Sequence, residues 1–313
     1  MRIAILGAGA VGGYFGGRLA QAGEEVSWLA RGATLQALRE QGLVVESLKG
    51  DFTLPPQPAT DRPEEIGPVD VVMVAVKTFQ VPEAARAIAP LLHPESLVLP
   101  LQNGVEAADQ LAAVLGPEPV VGGVAKIVCE VVAPGHLRHF GAEPAIDLGP
   151  LEGGPLNDPG ADPARVARQR ARCERLHEAF VRAGVTATLR DDIRAALWEK
   201  LLFIASVSGV GAAADATLGE IRTNPATRAQ LTAAMREIEA LAHARGVTLA
   251  PDVVDRAMGF VDRLSPESTA SMQRDLKAGR PSELEAQNGA VVRLGRESGI
   301  PTPVHSELYS RLR

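Results

Sequence analysis

Residues 2–12 read R-I-A-I-L-G-A-G-A-V-G, so a short apolar run ends in Gly7, with Gly9 and Gly12 completing G-x-G-x-x-G. No other feature limits the fold as strongly. Arg2 to Leu6 has the continuous apolar character of a strand buried on both faces, as at the centre of a parallel sheet. Beyond it, Val11, Phe15 and Leu19 recur at helical spacing, and Gly23 suits a left-handed helix end. A second strand, Glu25 to Leu29, completes a strand, glycine turn, helix and strand within roughly thirty residues.

Each glycine in that arrangement answers a physical need. The first permits a tight turn, the second removes a Cβ so that a pyrophosphate can approach, and the third lets helix and strand pack closely. The helix start then offers unpaired N–H groups and a positive dipole end. Gly7, Ala8, Gly9, Ala10, Val11 and Gly12 are therefore expected to hold a dinucleotide. The second strand ends W-L-A-R-G, with Arg31 where NAD-binding chains place an acid for the ribose 2′-OH; the next carboxylate is Glu40. An arginine fork suits a 2′-phosphate, so NADP(H) is expected over NAD(H).

Further strand-like runs are Val69 to Val76, Leu97 to Leu101, Val120 to Val124 and Ala145 to Leu148, with helical stretches Val81 to Leu92 and Glu106 to Leu115 between them. This alternation implies an α/β fold with a parallel Rossmann-type sheet. Leu151 to Pro163 is rich in Gly, Pro and Asp and reads as a surface loop. A helix over Pro163 to Ala183 and a short run Val185 to Leu189 follow. From Asp191 the strand signals vanish, and helices are expected over Ile193–Ala213, Pro225–Arg245, Pro251–Leu264, Ser282–Ser298 and Pro303–Leu312. At roughly 150 residues per domain, a chain of 313 should form two. The expected division is a Rossmann domain over 1–190 and an all-helical domain over 191–313, with the active site in the cleft between them.

Composition excludes several classes. With 46% apolar and 22% charged residues the chain is not a disordered one. A net charge of −6 argues against general nucleic-acid binding, which needs clustered Lys and Arg. Cys129 and Cys173, the two cysteines, cannot make a disulfide scaffold, read as buried small hydrophobes, and suit a reducing compartment. No apolar run reaches the ~18–20 residues of a membrane helix, and MRIAIL has no cleavable signal pattern. A cytoplasmic protein without membrane or nucleic-acid partners is expected. The six histidines form no strong metal spacing; H-L-R-H at 136–139 reads as a turn, and no metal is expected. The arginines of Arg165 to Arg172 read as a solvated helix face.

Ligands of open α/β sheets bind beyond the carboxyl ends of the strands. Lys77 ends V-V-M-V-A-V and Asn103 follows L-V-L-P-L-Q, so an ammonium and an amide are expected at that rim. In the helical half, Lys200 lies among Ile193, Leu197, Leu201 and Ile204, with Ile204 and Ser208 one and two turns on along its face. Apolar surroundings disfavour a lysine's charged form and so favour proton donation, although such lysines also snorkel to water.

Taken together, these residues resemble the ketopantoate reductase (2-dehydropantoate 2-reductase) family. The resemblance rests on G-A-G-A-V-G-G, V-A-V-K-T-F-Q-V, L-Q-N-G-V, D-D-I-x-x-x-x-W-E-K-L, T-A-S-M-Q-R-D-L-K-A-G-R-P-S-E-L-E-A-Q-N-G and G-I-P-T-P-V-H, in order over residues 7–305. It implies a helical second domain like the C-terminal domain of 6-phosphogluconate dehydrogenase. It also implies an oxidoreductase that transfers hydride from NADPH to a branched 2-oxo acid, giving pantoate on the way to pantothenate and coenzyme A. Lys200 would be the catalytic proton donor and touch the substrate. Lys77, Gln80, Asn103 and Glu283 would serve the cofactor, and Ser271 and Ser208 the substrate. Ser282-x-x-Glu285 is also a capping box, which would give Glu283 a merely structural place. One departure stands out: the asparagines that follow the lysine at i+4 and i+8 in ketopantoate-reducing members are Ile204 and Ser208 here. A different 2-oxo acid is therefore an alternative substrate, and a non-catalytic NADP(H)-binding regulator an alternative function. A homodimer through the helical half is compatible with the pattern.

Overall fold

The computed structural model describes residues 1–151 and 163–313, so the stretch 152–162 of the expected surface loop lies outside the described residues. The chain divides into two compact units, Met1–Gln102 with Ala107–Ile193, and Asn103–Glu106 with Arg194–Arg313.

The first unit is built on a five-stranded parallel sheet. Arg2–Leu6 is central, flanked by Glu25–Leu29 and Val71–Val74, with Ala59–Thr60 and Leu97–Pro100 at the edges. The alternation along the first strand explains its place. Ile3 and Ile5 face one core with Phe15, Trp28 and Phe180, and Ala4 faces another with Val72, Ile88 and Leu111. Both faces are thus covered, as parallel sheets require.

Two smaller sheets complete this unit. Strands Gly122–Lys126 and Ala145–Gly149 pair antiparallel in a three-stranded sheet with Thr186–Leu189, and Val120, just before the first of them, bridges in parallel to Val98 on the edge of the parallel sheet. Between Arg31 and Val69, where the sequence signals no element, the chain forms the helix Gly32–Glu40 and strands Leu43–Ser47, Phe52–Leu54 and Ala59–Thr60. Leu43–Ser47 pairs in parallel with His136–His139, which corrects the reading of H-L-R-H as a turn. The turn is instead at Pro134-Gly135, where Gly135 takes φ +72° and Val44 donates to its carbonyl.

The two cysteines also differ from expectation in part. Cys173 is buried, but Cys129 is only half-buried on the edge strand Cys129–Ala133. Burial raises both thiols, Cys129 to about 12 and Cys173 to about 11, so neither is a thiolate near neutral pH. The helix Pro163–Arg182 is not solvated along its whole basic run: Arg172 is buried and pairs with Glu95 at 2.8 Å.

The second unit is helical. Its helix Arg194–Ala214 is apolar on nearly all sides, and such helices are buried. It packs against Pro225–Ala244, Ser271–Lys277 and Pro303–Leu312. By length and composition this helix could cross a membrane, but 67% of its most apolar window is buried within the protein, as in a core helix. The continuous helix expected from Ser282 is interrupted: Glu285–Gly289 is a π-helical turn, and the α-helix proper is Ala290–Ser298. The wider turn brings both Gln287 and Asn288 fully inside. There the Asn288 amide donates to the carbonyl of Ala205 at 3.2 Å and to His305 Nδ1 at 3.0 Å.

Candidate functional site

The first unit carries a phosphate cradle. Gly7 has φ +98°, and a Cβ there would meet the backbone of Ala75 and Val76 at 3.0 Å. A Cβ on Gly12 would come within 2.1 Å of the Gly7 carbonyl oxygen, so this glycine is what lets the helix Ala10–Gln21 lie on the first strand. Gly9 is different. Among the described residues a Cβ there would meet no atom of another part of the chain within 4 Å, so its missing side chain serves no packing against them. Gly9 is also the N-cap of the helix, with no side chain capping the amides that follow. Bare backbone, first-turn N–H groups and open space fit the pyrophosphate of a dinucleotide. Ala8, Ala10 and Val11 lie in this same turn.

Arg31 follows the second strand and caps the helix Gly32–Glu40. Its guanidinium reaches the Glu83 carboxylate at 3.1 Å, with side chains 74% and 64% exposed. The sequence places no acid between Arg31 and Glu40, but the fold brings one from a position 52 residues away.

Lys77 lies just beyond the strand Val71–Val74 and is partly exposed; its backbone N–H donates to Gln80 Oε1 at 3.1 Å. Gln80 therefore braces the turn that presents Lys77. Gln102, unmarked as a site residue by sequence, is buried beside them. Its amide donates to the carbonyls of Val74 and Val76 at 2.9 Å each, and its Oε1 has no hydrogen-bond partner among the described residues. Its only local signal was its place in L-Q-N-G.

Asn103 belongs to the second unit, so the two rim residues expected together, Lys77 and Asn103, are held by different units. The Asn103 amide donates to Glu283 Oε2 at 2.8 Å, and Glu283 is only 5% exposed. Gly104 takes φ +96°, with the Ala286 carbonyl oxygen 2.8 Å from where its Cβ would stand. Arg293 then clasps Glu106 at 2.5 Å and Glu285 at 2.9 Å. Tyr309 also donates to Glu285, at 2.5 Å. The Glu285 carboxylate is thus engaged away from Ser282, and the capping box expected there does not form.

Lys200 sits in the first half of Arg194–Ala214 and is partly exposed, while Trp198, Leu201 and Leu202 around it are buried. Ile204, one turn on, is also partly exposed. Ser208 is fully buried. Its hydroxyl donates to the Ile204 carbonyl, with the Gln287 amide oxygen at 3.1 Å as the alternative acceptor. The reason is the π-helical turn, which places Gln287 against this helix. Ser271 begins the helix Ser271–Lys277 and is partly exposed. Among the described residues no group of three or more His, Cys, Asp or Glu is placed to hold a metal ion.

Comparisons with known proteins agree with this architecture. The family model described as "Ketopantoate reductase PanE/ApbA" matches residues 3–153, and that described as "Ketopantoate reductase PanE/ApbA C terminal" matches residues 192–313. A protein of Mesorhizobium japonicum named 2-dehydropantoate 2-reductase is 34% identical, with 100% of this chain and 97% of the relative covered. The crystal structure of 2-dehydropantoate 2-reductase from Geobacter metallireducens superposes with a TM-score of 0.89 at 35% identity, covering 100% of this chain and 99% of that one. A D-mandelate dehydrogenase solved with NADH shares the fold, at 23% identity, a TM-score of 0.87 and coverage of 100% and 97%.

Proposed function

Since this chain belongs to the ketopantoate reductase family of oxidoreductases, we propose that it reduces a 2-oxo acid with NADPH, with 2-dehydropantoate as the leading substrate and Lys200 as the proton donor. The observation that carries the reading is Lys200 itself: a helix that is apolar on nearly all sides carries one ammonium, at partial exposure, beside the buried Trp198, Leu201 and Leu202.

The coenzyme, when bound, supplies the hydride. The chain's own residues do the rest. The Gly7–Gly12 turn holds the pyrophosphate, through backbone amides that need no side chain. Arg31 pairs with the adenosine 2′-phosphate, the reason to favour NADPH. Lys77 and Gln80 serve the coenzyme, as do Asn103 and Glu283, where the Asn103 amide holds the nearly buried Glu283 carboxylate. Negative charge develops on the ketone oxygen as its carbon is reduced. Lys200 Nζ meets that charge and gives the oxygen a proton, an interaction strongest in the transition state. Ser271, with its hydroxyl at a helix start, holds the substrate.

A second reading concerns the substrate alone. Ile204 cannot hydrogen-bond, and the Ser208 hydroxyl is spent within the helical unit. A site without donors for a substrate hydroxyl loses the basis for preferring a hydroxylated acid. This favours a 2-oxo acid with an apolar side chain over ketopantoate.

The test is an NADPH-oxidation screen over 2-oxo acids with wild type and Lys200→Ala. The reading expects turnover of at least one 2-oxo acid and a loss of ~10²-fold or more in the variant. Turnover unchanged by the substitution would remove Lys200 from the mechanism, and ketopantoate far ahead of every other acid would remove the second reading.

A further inference from the structure

We propose that Glu83 sets the cofactor preference, competing with the adenosine 2′-phosphate for Arg31 and so narrowing the preference for NADPH over NADH. The proposal rests on the reading of Arg31 as the 2′-phosphate partner.

Three observations carry it. First, the Glu83 carboxylate lies 3.1 Å from the Arg31 guanidinium. Second, both side chains are largely exposed, so neither is locked by packing and both are within reach of a ligand. Third, each group stands at a helix start: Arg31 caps Gly32–Glu40, and Glu83 lies in the first turn of Val81–Ile88. The anchoring backbone of both residues is therefore fixed by the fold, although the pair is not evident in the local sequence.

The chemistry follows from charge. A 2′-phosphate carries about two negative charges near neutral pH, as phosphate monoesters do. To bind the Arg31 fork it must displace Glu83 or share the guanidinium with it at close range, where like charges repel. A ribose 2′-OH brings no charge. It leaves the ion pair intact, and the carboxylate is an acceptor of the kind that NAD sites use for that hydroxyl. Glu83 thus penalises one coenzyme and spares the other. Because both groups are exposed, the effect is moderate and weakens as salt is added.

The test is direct binding, read by quenching of intrinsic fluorescence or by calorimetry, of NADPH and NADH to wild type, Glu83→Gln, Arg31→Ala and the double variant. Glutamine keeps the shape and removes the charge. The expected result for Glu83→Gln is an NADPH Kd lowered roughly three- to tenfold with the NADH Kd within about twofold. In the Arg31→Ala background the same substitution should have much less effect, since the contested cation is gone. An unchanged NADPH Kd in Glu83→Gln, or equal shifts for both coenzymes, overturns the role of Glu83 while leaving Arg31 untouched. If Arg31→Ala alone weakens NADPH and NADH by the same factor, the 2′-phosphate reading falls and the proposal with it.

Discussion

The amide of Asn103 holds the carboxylate of Glu283 at 2.8 Å, joining residues 180 apart in the chain. With Gly104 against Ala286 and Glu106 on Arg293, it makes the four-residue segment Asn103–Glu106 part of the helical unit. Removing the amide withdraws a donor from a carboxylate that is almost fully buried. Asn103→Ala should cost about 1–3 kcal/mol in urea unfolding, and a double-mutant cycle with Glu283→Gln should show coupling above ~0.5 kcal/mol. Strict additivity would show that the two side chains are not energetically coupled.

Gly9 and Gly12 should part company under the same substitution. Gly9 has φ −78° and open space, so Gly9→Ala should leave Tm within about 2 °C, a change of well under 1 kcal/mol. Its added methyl occupies the approach to the backbone, so coenzyme Kd should rise roughly tenfold or more, by about 1.4 kcal/mol. Gly12→Ala drives a Cβ into the Gly7 carbonyl and should destabilise by ~1–3 kcal/mol or prevent folding. Paired thermal melts and coenzyme titrations check both.

Stability should fall in mild acid through His305. Burial pushes this imidazole from 6.5 down to about 4. Its Nε2 faces the Ala234 carbonyl at 3.1 Å, which fixes the proton there and leaves Nδ1 to accept from Asn288. Between those two values the unfolded chain binds a proton that the folded chain refuses. The contribution is complete above about pH 6.5 and is lost as pH falls toward 4, to the extent of ~3 kcal/mol. Urea midpoints at pH 7 and 4.5 measure it, and a pH slope unchanged in His305→Gln would assign the loss to other groups.

Ile204→Asn restores an amide one turn beyond Lys200. If the side chain at this position reads the substrate, kcat/KM for ketopantoate relative to an apolar 2-oxo acid should rise about tenfold or more, as expected when a hydrogen-bonding group meets a substrate hydroxyl. Steady-state rates with both acids measure the ratio. An unchanged ratio would place discrimination elsewhere.

Much of this molecule was legible locally. Arg2 to Leu6, the G-x-G-x-x-G turn and the following helix announce themselves because strand burial, glycine geometry and helical spacing are properties of neighbours in sequence. The final helix, Pro303–Leu312, is likewise marked at its start by proline and by helical spacing. The parallel sheet and the helical second half follow from such signals, as do Lys200 among apolar residues and Arg31 at a strand end.

What lay beyond reach depends on contacts between distant segments. Strand His136–His139 forms because Leu43–Ser47 lies beside it, and nothing within four residues of H-L-R-H says so. The π-helical turn at Glu285–Gly289 buries Gln287 against Ser208, 79 residues away. Glu83 reaches Arg31 in the same way, across 52 residues. The elements and the chemical types available are written locally, because backbone propensity and periodicity act over a few residues. Which polar groups meet is set by the packed fold, because hydrogen bonds and ion pairs depend on distances that the packing of the whole chain fixes.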